Sequence, residues 1–450
     1  MKCDNNTTPG CGKIPTSGTF GNMFMLKVSV FLGLLIGAAA QLLKFSVKLL
    51  SELTKKLMHP DGWNWVFILT PLVGIAIAWL FQQYVLRQNI EHGVERMKRK
   101  LDTDRPTMPV SQIWSPIVAA SFTLGMGGSA GTEGPIATSG GALGANLARR
   151  LNMPSDLCRA MLVIGAGAGI AAIFKAPVGG MLFSIEVLGM GMSAIQLMTL
   201  ATACTVAGLT AYMLSGLTTD ILMPDFVNFN YGFIPWIILL GIFCGVYSVY
   251  YQKILKGVQK KLSRLSRPWM KMLISGLAVG CLISIFPRMY GEGYSFISEI
   301  LAGDTQTLTH YSPFAPLSHI VWLPIAIAVG IMLVKSAAVA CTTSGGGVAG
   351  DFAPAIFSGC LSGYVFAMGM NYLFGTNLPV ADFAFFGMAA VLGVTQNAPV
   401  MGIFLITEMA QLYSLLLPIA ITTTIAFLIG RMLRRMPSIS EKVSPAIEKK

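Results

Sequence analysis

Two short segments of the sequence share the frame Gly-x-x-x-Pro, and one of them carries an acidic residue. Gly131-Thr-Glu-Gly-Pro135 places Glu133 between glycines, and Gly350-Asp-Phe-Ala-Pro354 repeats the frame at a spacing of 219 residues (131 to 350). Glycine lets the backbone approach a ligand closely, and proline suits a first helical turn because its missing N–H would have no partner there. Each segment therefore predicts a helix start whose unpaired backbone N–H groups can bind an anion.

The match between these segments continues downstream, so it indicates an internal repeat. Three residues recur at the same spacing: Ser139, Gly140 and Gly144 correspond to Ser358, Gly359 and Gly363. Paired apolar segments that glycine and proline interrupt at matching places in two halves point to the substrate site of a transporter.

A second pair of segments supports the repeat. Ala176-Pro-Val-Gly-Gly180 is followed by Glu186, and Ala398-Pro-Val-Met-Gly402 is followed by Glu408. The chain is therefore predicted to contain two related halves, and the match alone does not tell whether they are inverted or parallel.

The composition predicts a membrane protein with many spans. Hydrophobic residues make up 54% of the 450 positions and charged residues 12%, whereas a soluble domain carries about 25% charged residues. Apolar runs near the length of a bilayer-spanning helix lie at positions 23–43, 63–85, 195–214, 234–251, 270–286, 320–334 and 415–430. The lipid bilayer is the expected environment.

The formal net charge of +12 would suggest nucleic-acid binding, but its distribution argues against a nucleic-acid partner. Basic residues cluster where apolar runs end, at 96–100, 253–271 and 431–435. This positive-inside pattern predicts that the basic loops and the C-terminus are cytoplasmic. The expected location is the cell (inner) membrane, with multiple passes. No CxxC pattern occurs and the histidines are scattered, so no metal and no cofactor are expected.

A single helix end cannot hold a bare anion at membrane depth. Moving a monovalent ion into a low dielectric costs on the order of tens of kcal/mol, and one helix end returns about 0.3–2 kcal/mol. Two ends, one from each half, together with hydroxyl donors and water, give a better account. The Glu133 carboxylate needs the same donors as the anion, so it competes for the site, and its protonation would open the path.

These residues resemble the CLC family of chloride channels and chloride/proton exchangers, over about 91–418 of the chain. Residues 131–135 are similar to the family's GREGP segment, with Glu133 at the gating glutamate, and residues 350–354 to its GxFxP segment. Tyr413 resembles the tyrosine whose hydroxyl faces the central anion. The resemblance implies an all-α polytopic membrane fold of two inverted repeats with broken or re-entrant helices, and a homodimer with one pore per subunit.

The resemblance also implies the anion contacts. In the family, the backbone amides at the second and third positions of GxFxP bind the anion, here Asp351 and Phe352. The predicted anion-binding set is Gly131, Thr132, Gly134, Asp351, Phe352, Tyr413 and His92.

Three departures from the family pattern affect this prediction. Residues 91–95 stand where the family has GSGIP, so His92 replaces a serine that contacts the anion. Thr132 stands where the family has arginine. Val187 stands where exchangers have a proton-relaying glutamate, with Glu186 one step earlier, so both are candidates for a proton pathway. Valine at this position resembles the family's channels.

Structural roles remain open for several of these residues. Glu133 and Asp351 could each cap a helix, and Glu186 and Glu408 could share a structural role because they match in the repeat.

Other open alternatives concern single side chains. Tyr413 could be an interfacial aromatic, and His92 could cap a helix or solvate the cytoplasmic mouth. Residues 127–131 match the hydrolase pattern GxSxG, with Ser129 as nucleophile, but apolar helical sequence stands where that motif requires a strand. No enzymatic activity is expected.

The predicted function is transport of chloride or a similar small anion, gated by Glu133 and channel-like or weakly coupled to protons. The alternatives are a proton-coupled chloride exchanger and a fluoride or nitrate carrier. The predicted transmembrane domain covers 23–433, with repeat halves of roughly 23–252 and 272–433, between a polar segment over 1–22 and a tail over 434–450.

Overall fold

The computed structural model describes residues 19–57, 66–87, 93–103, 106–218, 230–304, 308–309, 312–317, 319–320 and 322–435. Within these ranges the chain is helical apart from turns and one isolated β-bridge, so the predicted all-α class is confirmed. The same ranges hold nine helices that are long and apolar enough to cross a membrane. His92 and most of the predicted N-terminal segment and C-terminal tail lie outside the described residues.

The helices of the first half lead from a long N-terminal helix to the first broken segments. In chain order they are α1 (Thr19–Lys55), α2 (Val66–Leu80), α3 (Gly93–Leu101), α4 (Ser115–Gly125), α5 (Glu133–Arg150), α6 (Ser155–Phe174), α7 (Pro177–Leu182) and α8 (Ala194–Leu214). A π-helical turn, Phe183–Val187, continues α7.

The helices of the second half repeat this order of long and broken elements. They are α9 (Ile234–Ser263), α10 (Pro268–Ile285), α11 (Tyr294–Leu301), α12 (Leu323–Ser344), α13 (Phe352–Phe374), α14 (Val380–Thr395), α15 (Pro399–Ala410) and α16 (Leu416–Arg435).

Two of the apolar helices, α6 and α13, form the centre of the molecule. Their most apolar windows are 89% and 83% buried, whereas those of the other candidate spans are at most 56% buried. The runs predicted from the sequence did not include either helix, although α6 has a mean hydropathy of 2.0 and α13 one of 1.4. Both helices are rich in Gly, Ala and Ser. Small residues are what close helix packing in a membrane requires.

The glycines that recur in the repeat explain this packing. A Cβ at Gly140 would lie 2.2 Å from the carbonyl oxygen of Gly165, and a Cβ at Gly359 would lie 2.4 Å from that of Gly387. The first contact joins α5 to α6, and the second joins α13 to α14. The same backbone contact therefore closes both halves, and only glycine permits it.

The two halves meet at equivalent residues that run in opposite directions. Gly131 and Gly350, which match in the repeat, form an isolated antiparallel bridge. An antiparallel pairing of equivalent residues is what a two-fold axis between inverted repeats produces. The predicted inverted arrangement is confirmed.

Candidate anion site

The bridge between Gly131 and Gly350 brings two helix starts together. The N–H of Gly131 donates to the carbonyl oxygen of Gly350 at 3.0 Å, and the N–H of Gly350 donates to the carbonyl oxygen of Gly131 at 2.7 Å. Helix α5 begins two residues after the first glycine, and α13 begins two residues after the second. The unpaired backbone N–H groups at the starts of α5 and α13 therefore lie next to the same bridge.

The carboxylate of Glu133 occupies the start of α13. Its Oε1 atom accepts hydrogen bonds from the backbone N–H of Phe352 and, at 3.2 Å, from that of Ala353. The side chain is 2% exposed, and its Oε2 atom has no hydrogen-bond partner in the described part of the chain. A negative group from the first half thus satisfies the helix end of the second half.

Glycine on both sides leaves the space that this carboxylate fills. A Cβ at Gly131 would lie 2.0 Å from Oε2 of Glu133, and a Cβ at Gly350 would lie 2.5 Å from Oε1. A Cβ at Gly134 would lie 3.1 Å from the Cα of Gly350. The glycines of both segments are therefore needed for the bridge and for the carboxylate that sits against it.

A cavity of about 310 Å³ leads to Glu133, and we call it the Glu133 cavity. Glu133 and Phe352 line one part of it, and Lys98 and Lys256 line another. The two lysines belong to the basic clusters that end α3 and lie along α9. The cavity therefore connects a basic surface, which attracts anions, with the two helix starts.

Glu292 occupies the start of the other helix, α5. Its Oε1 atom accepts hydrogen bonds from the backbone N–H of Thr132 at 2.9 Å and from the Thr132 hydroxyl at 2.5 Å. Thr132 is the residue that precedes α5. A carboxylate therefore lies at each helix start beside the bridge. Glu133 of the first half contacts the start of α13 in the second half, and Glu292 of the second half contacts the start of α5 in the first half.

The sequence matches the model of the voltage-gated chloride channel family over residues 73–431, which is most of the chain. The chain belongs to the CLC family. Its function is therefore anion transport of the CLC type.

Two curated relatives from bacteria illustrate the range of names in this family. A putative chloride channel protein, ClcB-like, from Ralstonia nicotianae is 26% identical over 79% of this chain and 80% of its own length. The H⁺/Cl⁻ exchange transporter ClcA of Vibrio parahaemolyticus is 29% identical over 78% of this chain and 73% of its own length.

Two solved CLC structures share the fold at low sequence identity. A CLC-type fluoride/proton antiporter is 23% identical with a TM-score of 0.75, and the match covers 92% of this chain and 97% of that chain. A slow cyanobacterial Cl⁻/H⁺ antiporter is 22% identical with a TM-score of 0.75, and the match covers 95% and 98%.

In this CLC chain, Glu186 and Glu408 bind helix starts across the two halves. The Glu408 carboxylate accepts from the N–H of Val178 at 3.1 Å and of Gly179 at 2.7 Å. The Glu186 carboxylate accepts from the N–H of Val400 at 3.3 Å and of Met401 at 2.7 Å. These are helix-capping contacts, so the structural role that the sequence left open has direct geometric support.

Val187 lines the Glu133 cavity, whereas Glu186 does not. Val187 is buried and lines the Glu133 cavity beside Phe183, whose ring packs edge-on against Phe352 at 5.7 Å between centroids. An apolar surface therefore stands where the sequence analysis considered an internal proton-accepting side chain.

The structure differs from the prediction for Tyr413. This side chain is 56% exposed, in a short 3₁₀ turn between α15 and α16, and it does not line the Glu133 cavity. Tyr251 of α9 lines that cavity instead, and its buried hydroxyl has no hydrogen-bond partner within the described chain. A tyrosine at the end of an apolar run gives the sequence no signal that distinguishes it from an interfacial aromatic.

The resemblance implied that the backbone amides of Asp351 and Phe352 bind the anion, and the structure differs from this by one position. The backbone N–H groups directed at the Glu133 carboxylate are those of Phe352 and Ala353, one position later than expected. Asp351 precedes α13, and its residue lines the Glu133 cavity. Asp351 is therefore a second carboxyl-bearing residue, besides Glu133, at this end of the cavity.

Ser129 precedes helix α5 in the chain and contacts the buried residue Lys335. Its hydroxyl donates to the carbonyl oxygen of Met289 at 2.7 Å and accepts from the ammonium group of Lys335 at 2.8 Å. The Lys335 nitrogen also lies 4.5 Å from the centroid of the Phe357 ring. Ser129 follows helix α4 and is fully buried, so the strand and the exposed hydroxyl of a nucleophile elbow are both missing here.

Proposed function

We propose that this CLC chain transports chloride and that the Glu133 carboxylate is its gate. The observation that carries the proposal is the pair of hydrogen bonds from Phe352 and Ala353 to Glu133 Oε1. An anion that passes this point needs those N–H groups. The ionised carboxylate holds them, so chloride and the carboxylate exclude each other.

Protonation of Glu133 removes this competition. A neutral carboxyl group is a weaker acceptor than a carboxylate, because hydrogen bonds to charged groups contribute about 1.5–3 kcal/mol and those between neutral groups about 0.5–1.5 kcal/mol. Loss of the negative charge also removes its repulsion of the incoming anion. Chloride flux is therefore expected to increase as pH falls.

We further propose that transport is channel-like or only weakly coupled to protons. Glu186 accepts two backbone hydrogen bonds at the start of α15, and Val187 lines the Glu133 cavity. Neither residue contributes a titratable side chain to this cavity, whose carboxyl-bearing lining residues besides Glu133 are Glu95 and Asp351. The runner-up is a proton-coupled chloride exchanger, because relatives with this fold carry that name.

Reconstitution of the full chain in liposomes tests the gate and the coupling together. Chloride efflux and the pH of the lumen are recorded while the chloride gradient is imposed and then reversed. Glu133→Gln is expected to conduct chloride at every pH, because its amide resembles the protonated carboxyl group. A Glu133→Gln variant that kept the wild-type pH profile would remove Glu133 as the gate. Proton movement that reverses with the chloride gradient would favour the exchanger.

Fluoride is the second candidate anion, since a solved structure with this fold is a fluoride/proton antiporter. The donors found at the start of α13 are backbone N–H groups, which bind small anions of either kind. Parallel efflux measurements with chloride-, fluoride- and nitrate-loaded liposomes separate these substrates. A fluoride rate far above the chloride rate would replace chloride in the proposal.

The remaining proposals concern the setting of the pore. The charge pattern supports insertion in the cell (inner) membrane with a cytoplasmic C-terminus, so the Glu133 cavity would open to the cytoplasm. A homodimer with one pore per subunit follows from the family resemblance. Chemical cross-linking in lipid and labelling of a C-terminal tag in sealed vesicles test these two points.

A further inference from the structure

A second cavity is lined by Glu292, whose carboxylate accepts hydrogen bonds from Thr132. This cavity, the Glu292 cavity, has a volume of about 890 Å³. Its basic residues are Lys44, Lys48 and Lys55 of α1 and Arg288, and its acidic residues are Glu52, Glu292 and Glu299. Arg288 pairs with Glu299 at 3.0 Å, so the positive excess comes from the lysines of α1. A basic concave surface raises the local concentration of anions. Glu133 lines the first cavity, and Glu292, whose carboxylate accepts hydrogen bonds from the neighbouring residue Thr132, lines the second.

Two glycines in a left-handed backbone conformation flank Glu292. Gly291 and Gly293 flank it with φ angles of 66° and 86°, a left-handed conformation that favours glycine. A Cβ at Gly293 would also lie 2.5 Å from the Phe357 ring. Packing against α13 therefore fixes the segment whose acidic residue reaches Thr132.

The two carboxylates at the bridge act on the same pair of helix starts. Glu292 holds the N–H and hydroxyl of Thr132, and Glu133 holds the N–H groups at the start of α13. Thr132 stands where the family has arginine, and its hydroxyl supplies one of the two donors that Glu292 accepts. The second oxygen of Glu133 is buried and has no partner in the described chain, so the site between these helix starts still offers an unsatisfied polar atom.

We propose that the Glu292 carboxylate is a second gate, at the end of the pore that opens into the Glu292 cavity. This inference rests on the proposed function of Glu133. An anion that arrives through the Glu292 cavity first meets the donors of Thr132, and these are occupied until the Glu292 carboxylate moves away. Passage then requires both carboxylates to leave, one at each helix start.

The test measures chloride dependence in the full chain with Glu133 intact. Chloride efflux from liposomes is recorded over a series of chloride concentrations at constant pH, and chloride binding to detergent-solubilised protein is measured by calorimetry. Glu292→Gln is expected to lower the chloride concentration for half-maximal flux by about threefold to tenfold, the size of one helix-end anion interaction. Glu52→Gln is the matched control, because Glu52 lines the same cavity and pairs with Lys48 at 3.9 Å.

A second variant separates the position of the carboxylate from its charge. Glu292→Asp keeps the charge but shortens the side chain by one methylene, so it loses the contact with Thr132. It is expected to shift the chloride dependence in the same direction as Glu292→Gln, by a smaller factor. Equal chloride curves for Glu292→Gln and Glu52→Gln would overturn the second gate. If Glu292→Gln does not fold, a wild-type curve for Glu292→Asp overturns it as well.

Failure of the second gate can be told apart from failure of the first. The Glu133 proposal fails when Glu133→Gln and the wild-type chain share one pH profile. The Glu292 proposal fails when removal of the Glu292 charge has the same effect as removal of the Glu52 charge, whatever Glu133→Gln does.

Discussion

Glu186 and Glu408 each cap a short helix of the opposite half, with nearly the same distances. Glu408 accepts from the N–H groups at the start of α7, at 3.1 and 2.7 Å, and Glu186 from those at the start of α15, at 3.3 and 2.7 Å. These helices begin with the repeated Ala-Pro-Val segments. The inverted repeat is therefore locked by two reciprocal carboxylate caps as well as by the Gly131–Gly350 bridge.

The first prediction concerns these two caps. Glu186→Gln and Glu408→Gln are each expected to lower the free energy of unfolding by about 0.5–2 kcal/mol, the usual contribution of a helix cap. Glu408 is the more buried side chain, so its variant is expected to lose more. Thermal unfolding in detergent measures the effect.

The same pair of variants tests proton relay through Glu186. A capping role predicts that neither variant changes the ratio of protons to chloride transported. A loss of proton movement in Glu186→Gln, without a loss in Glu408→Gln, would contradict the capping role.

The second prediction concerns the glycine bridge. A Cβ in Gly350→Ala would lie 2.5 Å from Oε1 of Glu133 and 2.7 Å from the N atom of Gly134. The carboxylate and the start of α5 must then move, so we expect a loss of about 1–3 kcal/mol in stability, as for overpacked sites, and an altered pH profile of chloride flux.

Gly369→Ala is the control for this change. Gly369 lies in the same helix, α13, and a Cβ there would meet no atom within 4 Å. We expect it to gain up to about 1 kcal/mol from the better helix propensity of alanine and to keep wild-type flux. Equal losses in the two variants would show that the bridge is not specifically required.

The third prediction concerns Tyr251. Tyr251 lines the Glu133 cavity, and its buried hydroxyl has no partner among the described residues, so we expect this hydroxyl to donate to the transported anion. Tyr251→Phe should weaken chloride binding by about threefold to tenfold, the effect of one hydrogen bond of 0.5–1.5 kcal/mol.

Tyr413→Phe serves as the comparison for Tyr251→Phe. Because Tyr413 is exposed and lies outside the Glu133 cavity, its variant is expected to bind chloride as the wild-type chain does. Calorimetric titration with chloride measures both variants. Weaker binding in Tyr413→Phe alone would restore the assignment made from the sequence.

The fourth prediction concerns Lys335, whose side chain is 0% exposed in α12. Its ammonium group donates to Ser129, in the turn that leads to Glu133, and has no ion-pair partner in the part of the chain described. Lys335→Met removes the hydrogen bond that holds Ser129 in the turn before Glu133, so it is expected to disturb the start of α5 and to lower chloride affinity severalfold.

Lys260→Met is the matched control for Lys335→Met. Lys260 is exposed near the end of α9, so removal of its charge should leave chloride affinity within about twofold of wild type, given screening by salt. If the two variants bind chloride equally well, Lys335 has a packing role only.

The sequence by itself determined the class of the fold and the location of the helix starts. Apolar length decides that a segment spans a membrane, and Gly and Pro decide locally where a helix begins. For this reason the two Gly-x-x-x-Pro segments, the repeat and Glu133 could all be identified from residue types and spacing.

Only the tertiary structure decided which side chains share a cavity. Tyr251 rather than Tyr413 lines the Glu133 cavity, and Glu292 reaches Thr132 from 160 positions away along the chain. Local conformation does not encode such pairs, because they depend on how α9 and the turn before α11 pack against the first half. The central position of α6 and α13 also depends on tertiary packing. Their glycines and alanines permit close helix contacts, and only the fold decides which neighbouring helices make those contacts.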